Sequence, residues 1–369
     1  MKASESNPNY PSKVREMTNY TIREIKKVCK DIGPRPSGEE NERKAQDYVA
    51  DSMSKVADSV VKEKFELHPK AFMGWVPLDV ILMTISVILT LLSYFDVLPS
   101  ASTAFSAVSV VLTSLAIIFT FFEFLLYKKF LDPFFPKRET YNVVCTRKAA
   151  GETKRRIVFS GHIDSAYEWY FTHLGGGKLL TTMIALAFGA IAITLAASIV
   201  SFFDVPNGVR VTAIVVLFVC LIPILMCSMF VNWKLCVPGA NDNLTGVFAS
   251  MSVLRYMAAN DIRFENTEVV CVSMACEEAG LRGAKEYVKK HCGEDDVETV
   301  FVGTDTLRDF DDMGVYNKDM TGTVKLDKQA AAMVKHASDI AGYNLPYSSV
   351  FFGSSDAAAI QQGGMKAVA

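Results

Sequence analysis

Four long apolar stretches, set in two closely spaced pairs, constrain this chain more than anything else in it. They run from Trp75 to Phe95, Ala101 to Tyr127, Leu179 to Phe203 and Val209 to Val231. Each approaches or exceeds the roughly 20 apolar residues that a helix needs to cross a bilayer. A core helix of a soluble domain commonly runs about 8 to 20 residues and keeps a polar face. The chain is 50% hydrophobic with a mean hydropathy of +0.21, and the excess is concentrated in these stretches. Pro77 and Asp79 make the first the least uniform of the four.

Asp96 to Ser100 joins the first pair and Asp204 to Gly208 the second, so each pair is expected to be a hairpin with both open ends on one side. The closed turns lack Lys and Arg apart from Arg210 at the margin. The open ends carry Lys62, Lys64, Lys70, Lys128, Lys129, Lys137, Arg138, Lys178 and Lys234. Excess Lys and Arg mark the cytoplasmic side of a membrane. The expectation is a multi-pass integral membrane protein, in a plasma membrane of prokaryotic type, with its polar part in the cytoplasm. Eight cysteines with no C-x-x-C pair do not form a disulfide pattern. The polar start, Met1 to Pro11, does not read as a secretory signal. A formal net charge of −2 gives no reason to expect nucleic acid as a partner. The bilayer and a peptide substrate are the partners anticipated, the latter for the reasons below.

Outside the hairpins, 72–129 and 178–231, three segments remain: 1–71, 130–177 and 232–369. They alternate helical and strand-like periodicity, which predicts an α/β domain built as a three-layer α/β/α sandwich on a mostly parallel mixed sheet. Helices are expected over Val14–Ile32, from Ser37–Glu40 as a capping box to about Val56, and over Leu244–Ala259, Gly283–His291 and Lys328–Gly342. Strands are expected over Val60–Leu67, Thr140–Thr146, Arg156–Ser160, Thr267–Ala275, Val297–Gly303 and Ser348–Phe352. The last residues, Gly363 to Ala369, read as a turn entering a strand, and the domain is expected to be incomplete at this end.

Three of those strands run straight into residues that bind metals. Arg156–Ser160 leads to His162 and Asp164, Thr267–Ala275 to Glu277 and Glu278, and Val297–Gly303 to Asp305. Sites in open α/β sheets form at the carboxyl ends of strands, where several side chains meet in one crevice. Asp242 lies in a Gly-Ala-Asn-Asp-Asn loop before a helix and could equally cap that helix. Singly, each motif has a plain alternative: a surface turn for His162-x-Asp164, a solvated acidic turn for Glu277-Glu278. Their order along the chain is the stronger signal.

With those motifs, and with Asp31-Ile32-Gly33-Pro34-Arg35-Pro36-Ser37-Gly38 near the start, the sequence resembles the zinc exopeptidases that include bacterial leucyl aminopeptidases, glutamate carboxypeptidase II and glutaminyl cyclases. The matching stretches are spread over nearly all of the polar part, leaving the hairpins as insertions. The resemblance implies two zinc ions. His162, Asp242 and Asp305 would hold one, Asp242 would bridge, and Glu278 would help hold the second. Glu277 would be the general base, and Asp164 the support for His162. It also implies a further histidine beyond the next strand, which this sequence does not supply. His173, His291 and His336 are the substitutes to consider. Ser354-Ser355-Asp356 matches a supporting region, and the Asp242–Asn243 peptide is expected to be cis.

The function expected on this basis is a membrane-bound zinc aminopeptidase acting on peptides, membrane-associated or exported ones because short connections tie the hairpins to the site. Two other readings stay open: a catalytically idle scaffold on the same fold, and glutaminyl cyclase or carboxypeptidase chemistry.

Overall fold

In the computed structural model, which describes residues 9–369, elements fall largely where hydrophobic periodicity places them. The polar start read above as no secretory signal lies mostly outside those residues. α1 (Tyr10–Asp31) carries Pro11 in its first turn, where no helical N–H partner is needed, and stops before Gly33. α2 (Glu40–Met53) and β1 (Ser59–Leu67) follow. The apolar α3 (Ala71–Tyr94) and α4 (Ser102–Phe119) come next, the latter prolonged by a wide π-helical turn at Thr120–Leu125. After β2 (Arg138–Arg147) and β3 (Arg155–His162) come β4 (Tyr167–Trp169), the apolar α5 (Tyr170–Val200) and α6 (Asn207–Met226), and β5 (Val231–Cys236). The remainder alternates as α7 (Thr245–Ala259), β6 (Thr267–Met274), α8 (Arg282–His291), β7 (Glu298–Gly303), β8 (Val315–Asp319), β9 (Val324–Lys325), α9 (Lys328–Ala341), β10 (Tyr347–Ser349), α10 (Asp356–Gln362) and β11 (Lys366–Val368).

The chain divides into two compact units. One holds the described residues up to 69, with 136–166 and 236–369; the other holds 70–135 and 167–235. Both hairpins thus share one unit, together with the short strands β4 and β5, which pair with each other.

The first unit is a three-layer α/β/α sandwich. Its sheet has the order β1-β2-β6-β3-β7-β11. β1, β2 and β6 pair antiparallel, whereas β6, β3, β7 and β11 run parallel. Alternation along the strands gives each face its own core. On one face Val143, Cys145, Val269 and Cys271 meet α1, α2 and α7, while Val302 and Val368 meet α9. On the other, Phe301 lies tilted against Tyr287 of α8, ring centroids 6.4 Å apart, and α10 packs beside α8. The predicted strand Ser348–Phe352 is only Tyr347–Ser349 and belongs to a separate sheet, β10-β8-β9.

The predicted Ser37–Glu40 capping box does not form. Glu39 precedes α2 with no side-chain cap, and Ser37 Oγ donates instead to Asp164 Oδ2 at 2.7 Å. A buried carboxylate is the stronger acceptor, and it takes the hydroxyl from the helix end.

In the second unit the four apolar helices are long and apolar enough to cross a membrane, at Ala71–Tyr94, Pro99–Leu125, Tyr170–Val200 and Asn207–Met229. Their outward faces carry large side chains such as Ile81, Ile88, Val111, Val219 and Ile222, which water would reject and lipid would not. Inside, hydroxyls hold the bundle. Ser86 meets Ser109 and Thr113 at 2.6 Å each, and Thr90 meets Ser109 at 2.6 Å and Ser198 at 2.9 Å, joining α3, α4 and α5. Small hydroxyl residues at helix contacts are the usual substitute for hydrophobic driving force in lipid. All eight cysteines are free.

Candidate metal centre

Strand register brings the predicted residues together. In the parallel sheet His162 lies opposite Met274 of β6, and Ser160 lies opposite Gly303 of β7. The residues just beyond Met274 and Gly303, which include Glu277, Glu278 and Asp305, therefore leave the sheet at the same edge as His162. The backbone keeps the register past the strand ends, Ile163 N–H donating to Met274 O at 2.8 Å and Thr304 N–H to Ser160 O at 2.7 Å.

Asp242 arrives from the loop before α7. That loop fits because two glycines permit close approach. A Cβ on Gly161 would sit 2.3 Å from Val247 N, and one on Gly246 would sit 2.0 Å from Thr304 O. Asn243 fastens the loop, its Nδ2 donating to Thr304 O at 2.9 Å while its Oδ1 accepts Gly246 N–H at 2.9 Å. The Asp242–Asn243 peptide is cis, as expected. Asp242 caps no helix, since α7 has no side-chain cap.

His162 Nε2 lies 3.0 Å from Asp242 Oδ1, and 3.9 Å from both Glu277 Oε2 and Asp305 Oδ1. His162 with Asp242 and Asp305, and His162 with Glu277 and Glu278, each offer three donor atoms within 4.8 Å of one another. His162 Nδ1 is 3.3 Å from Asp164 Oδ1 without closing an aligned hydrogen bond. Asp164 is fully buried. Its Oδ1 accepts Glu277 N–H at 3.1 Å, and its Oδ2 accepts Glu278 N–H at 3.1 Å and the Ser37 hydroxyl.

The electrostatics are those of a site short of positive charge. Burial raises Glu277 well above the carboxylate range, and Glu278, Asp356 and Asp305 add to it against the pull of His162. Burial does the same to Glu278, reinforced by Asp242. Asp305 is pushed up to about 6, by burial first and then by Asp242. For His162, burial alone would lower the pKa, but Glu277, Asp164, Asp242 and Asp305 overrule it and hold it well above its ordinary value. Asp164 is likewise opposed by burial, yet His162, Ser37 and the Glu277 N–H keep it low. One imidazole amid this many carboxylates fits a divalent cation: such a charge relieves their repulsion, and histidine with carboxylates is a zinc donor set.

The roles of several contributors were not legible in the sequence. Arg35 is fully buried, and its guanidinium donates to Ile163 O at 2.6 Å, Gly33 O at 2.8 Å, Pro238 O at 2.9 Å and Gly239 O at 3.0 Å. It clamps the loop after His162 to the loop before Asp242. Glu42 accepts N–H groups from Cys276 at 2.8 Å and Gly38 at 3.0 Å, holding the turn that presents Glu277. Burial, with Asp164 adding to it, pushes Glu42 up to about 7. Asp319 accepts the Ser355 backbone N–H at 3.1 Å, fixing the Ser354-Ser355-Asp356 stretch. Of the substitute histidines, His173 lies in α5 rather than a loop, 3.6 Å from Glu168, and His291 pairs with Glu63 at 3.0 Å and Glu294 at 2.6 Å. Among the described residues, neither these nor His336 join the groups around His162.

Residues 227–369 match the family model described as Peptidase family M28. The resemblance to the zinc exopeptidases is borne out. The M28 segment contains Asp242, Glu277, Glu278 and Asp305, and the fold adds His162 to them. No curated protein matches the chain by sequence. Among solved structures, it is similar to an aminopeptidase from Aneurinibacillus sp. strain AM-1, with TM-score 0.51 and 13% identity over 95% of this chain and 84% of that one. It is equally similar to BSAP, a zinc aminopeptidase from Bacillus subtilis, again with TM-score 0.51, 13% identity and the same coverage of 95% and 84%. A glutaminyl cyclase from Fimbriiglobus ruber gives TM-score 0.50 and 12% identity over 95% of this chain and 82% of that one. The chain spans 62% of the length of the Legionella pneumophila aminopeptidase LapA, at TM-score 0.49 and 11% identity. At these identities the likeness is one of fold.

Proposed function

We propose that this chain is a membrane-anchored zinc metallopeptidase that removes N-terminal residues from peptides. The observation that carries the proposal is the gathering of Asp242, Asp305, Glu277 and Glu278 around the His162 imidazole. His162, Asp242 and Asp305 would hold one zinc, and Asp242 and Glu278 a second. Zinc bound there supplies a water of near-neutral pKa and a Lewis acid for a peptide carbonyl.

The protein's own groups do the rest. Glu277 is only 9% exposed, with Oε2 3.9 Å from His162 Nε2. It can take a proton from water and deliver it to the leaving amine. Asp164 positions His162 and, through the two N–H groups it accepts, the Glu277-Glu278 turn. Asp242 keeps a side chain 53% exposed, leaving the entrance open to a substrate's free amino group.

The test uses the full chain in detergent. Zinc-loaded protein should hydrolyse aminoacyl p-nitroanilides, and Glu277→Gln should lower the rate by about 10²- to 10⁴-fold while retaining zinc. Zinc binding without hydrolysis would favour an idle scaffold. Ammonia release from peptides starting in Gln would favour the cyclase reading, which the likeness to the Fimbriiglobus enzyme brings into view. The proposed cytoplasmic placement predicts that Cys292, which is exposed, reacts with an impermeant maleimide only after the membrane is opened.

A further inference from the structure

The four-helix unit contains a cleft unrelated to the metal centre. It is walled by Met73, Phe124, Met183 and Phe188 among others, and its cavity volume is about 80 Å³, open at one side. The only side-chain oxygens among its lining residues belong to Asp79 and Thr120.

Asp79 is the anomaly. It sits about 12 Å along α3, from a rise of about 1.5 Å per residue, and its residue exposure is 6%. Thr120 Oγ1 donates to Oδ2 at 2.8 Å, while Oδ1 is buried with no hydrogen-bond partner. Among the described residues, no Lys, Arg or His lines the cleft. An ionisable group inside a membrane segment is costly and marks a site where its partner comes from elsewhere. The local backbone agrees. Pro77 leaves the Met73 carbonyl without its helical N–H, and Thr120 opens the π-helical turn, an irregularity that recurs at functional sites.

We propose that this cleft binds a single-chain amphiphile with an ammonium head, the head pairing with Asp79 and the hydrocarbon tail lying along the apolar wall. An ammonium head would both donate to the unpartnered oxygen and supply the charge that keeps a buried carboxyl ionised, which no residue lining the cleft does. The remaining lining is hydrocarbon, aromatic ring and thioether or thiol, which suits an alkyl chain and rejects a polar one.

The test measures retention of dodecylamine, dodecanol and lauric acid by the purified full chain, using native mass spectrometry after release from detergent. One dodecylamine should be retained per chain, in preference to the alcohol and the acid. Asp79→Asn keeps the shape but removes the charge, and should weaken amine binding about ten-fold or more. Met183→Trp fills the cleft with Asp79 intact and should also displace the amine, so the idea stays testable if the Asn variant misfolds. Equal retention of amine, alcohol and acid, or amine binding unchanged in both variants, would overturn the proposal. Neither readout depends on zinc or peptidase activity.

Discussion

Asp164→Asn separates a positioning carboxylate from a mere buried polar residue. Each oxygen of Asp164 faces two groups: Oδ1 meets Glu277 N–H and His162 Nδ1, and Oδ2 meets Glu278 N–H and the Ser37 hydroxyl. An amide keeps one acceptor and turns the other into a donor. Placing the NH₂ toward Ser37 is the better choice, because a hydroxyl can reverse and accept. Glu278 N–H is then left buried and unpaired, at a cost of about 1–3 kcal/mol. His162 loses the negative charge behind Nδ1, and losing such a partner typically weakens a metal site about 10- to 100-fold. The expected result is a folded protein with a lower midpoint of thermal unfolding and zinc affinity reduced on that scale by chelator competition. Asp164→Ala should be worse, since it strands both N–H groups and the hydroxyl. An Asn variant with wild-type melting and wild-type zinc affinity would refute this account of the site.

Gly246→Ala should destabilise the first unit by about 1–3 kcal/mol or more and weaken zinc binding with it. Its Cβ would fall 2.0 Å from Thr304 O and 2.4 Å from Asn243 Oδ1, and the carbonyl cannot swing away; thermal unfolding with and without zinc checks it. Zinc binding should release protons. A carboxyl with a raised folded pKa favours its protonated state: the Asp305 contribution to stability is full below its ordinary 3.8 and is lost as pH rises through about 6. Metal-free protein should therefore lose stability across that window relative to Asp305→Asn, and zinc affinity should climb over the same range. Calorimetry in two buffers of different ionisation enthalpy measures the release; identical heats would count against it.

Much of the molecule was legible before any coordinates. The four long apolar helices were readable because unbroken apolar runs of roughly 20 residues match the length of a helix that crosses a bilayer. The strands leading to His162, Glu277 and Asp305 were readable because buried parallel strands appear as continuous apolar runs ending in polar residues. At Ser37 the local signal loses: a Ser three residues before a Glu is a capping pattern, and the distant Asp164 carboxylate outbids the helix end. Asp242 was ambiguous in the same way. Arg35 and Glu42 could not have been singled out by their types, since Arg and Glu are almost never fully buried unless paired.

The sequence alone determined the periodicities, and with them which segments are long and apolar enough to cross a membrane, which face a core, and which ligand-type residues stand at strand ends. Those are nearest-neighbour properties, set by a repeat of 2.0 or about 3.6 residues. Tertiary structure decided what lies across from what: the offset that puts His162 beside Met274, the four carbonyls that meet on Arg35, and the oxygen of Asp79 left without a partner. Hydrogen bonds and charges act over a few ångströms of space regardless of separation along the chain, so their pairing exists only once the chain has closed on itself.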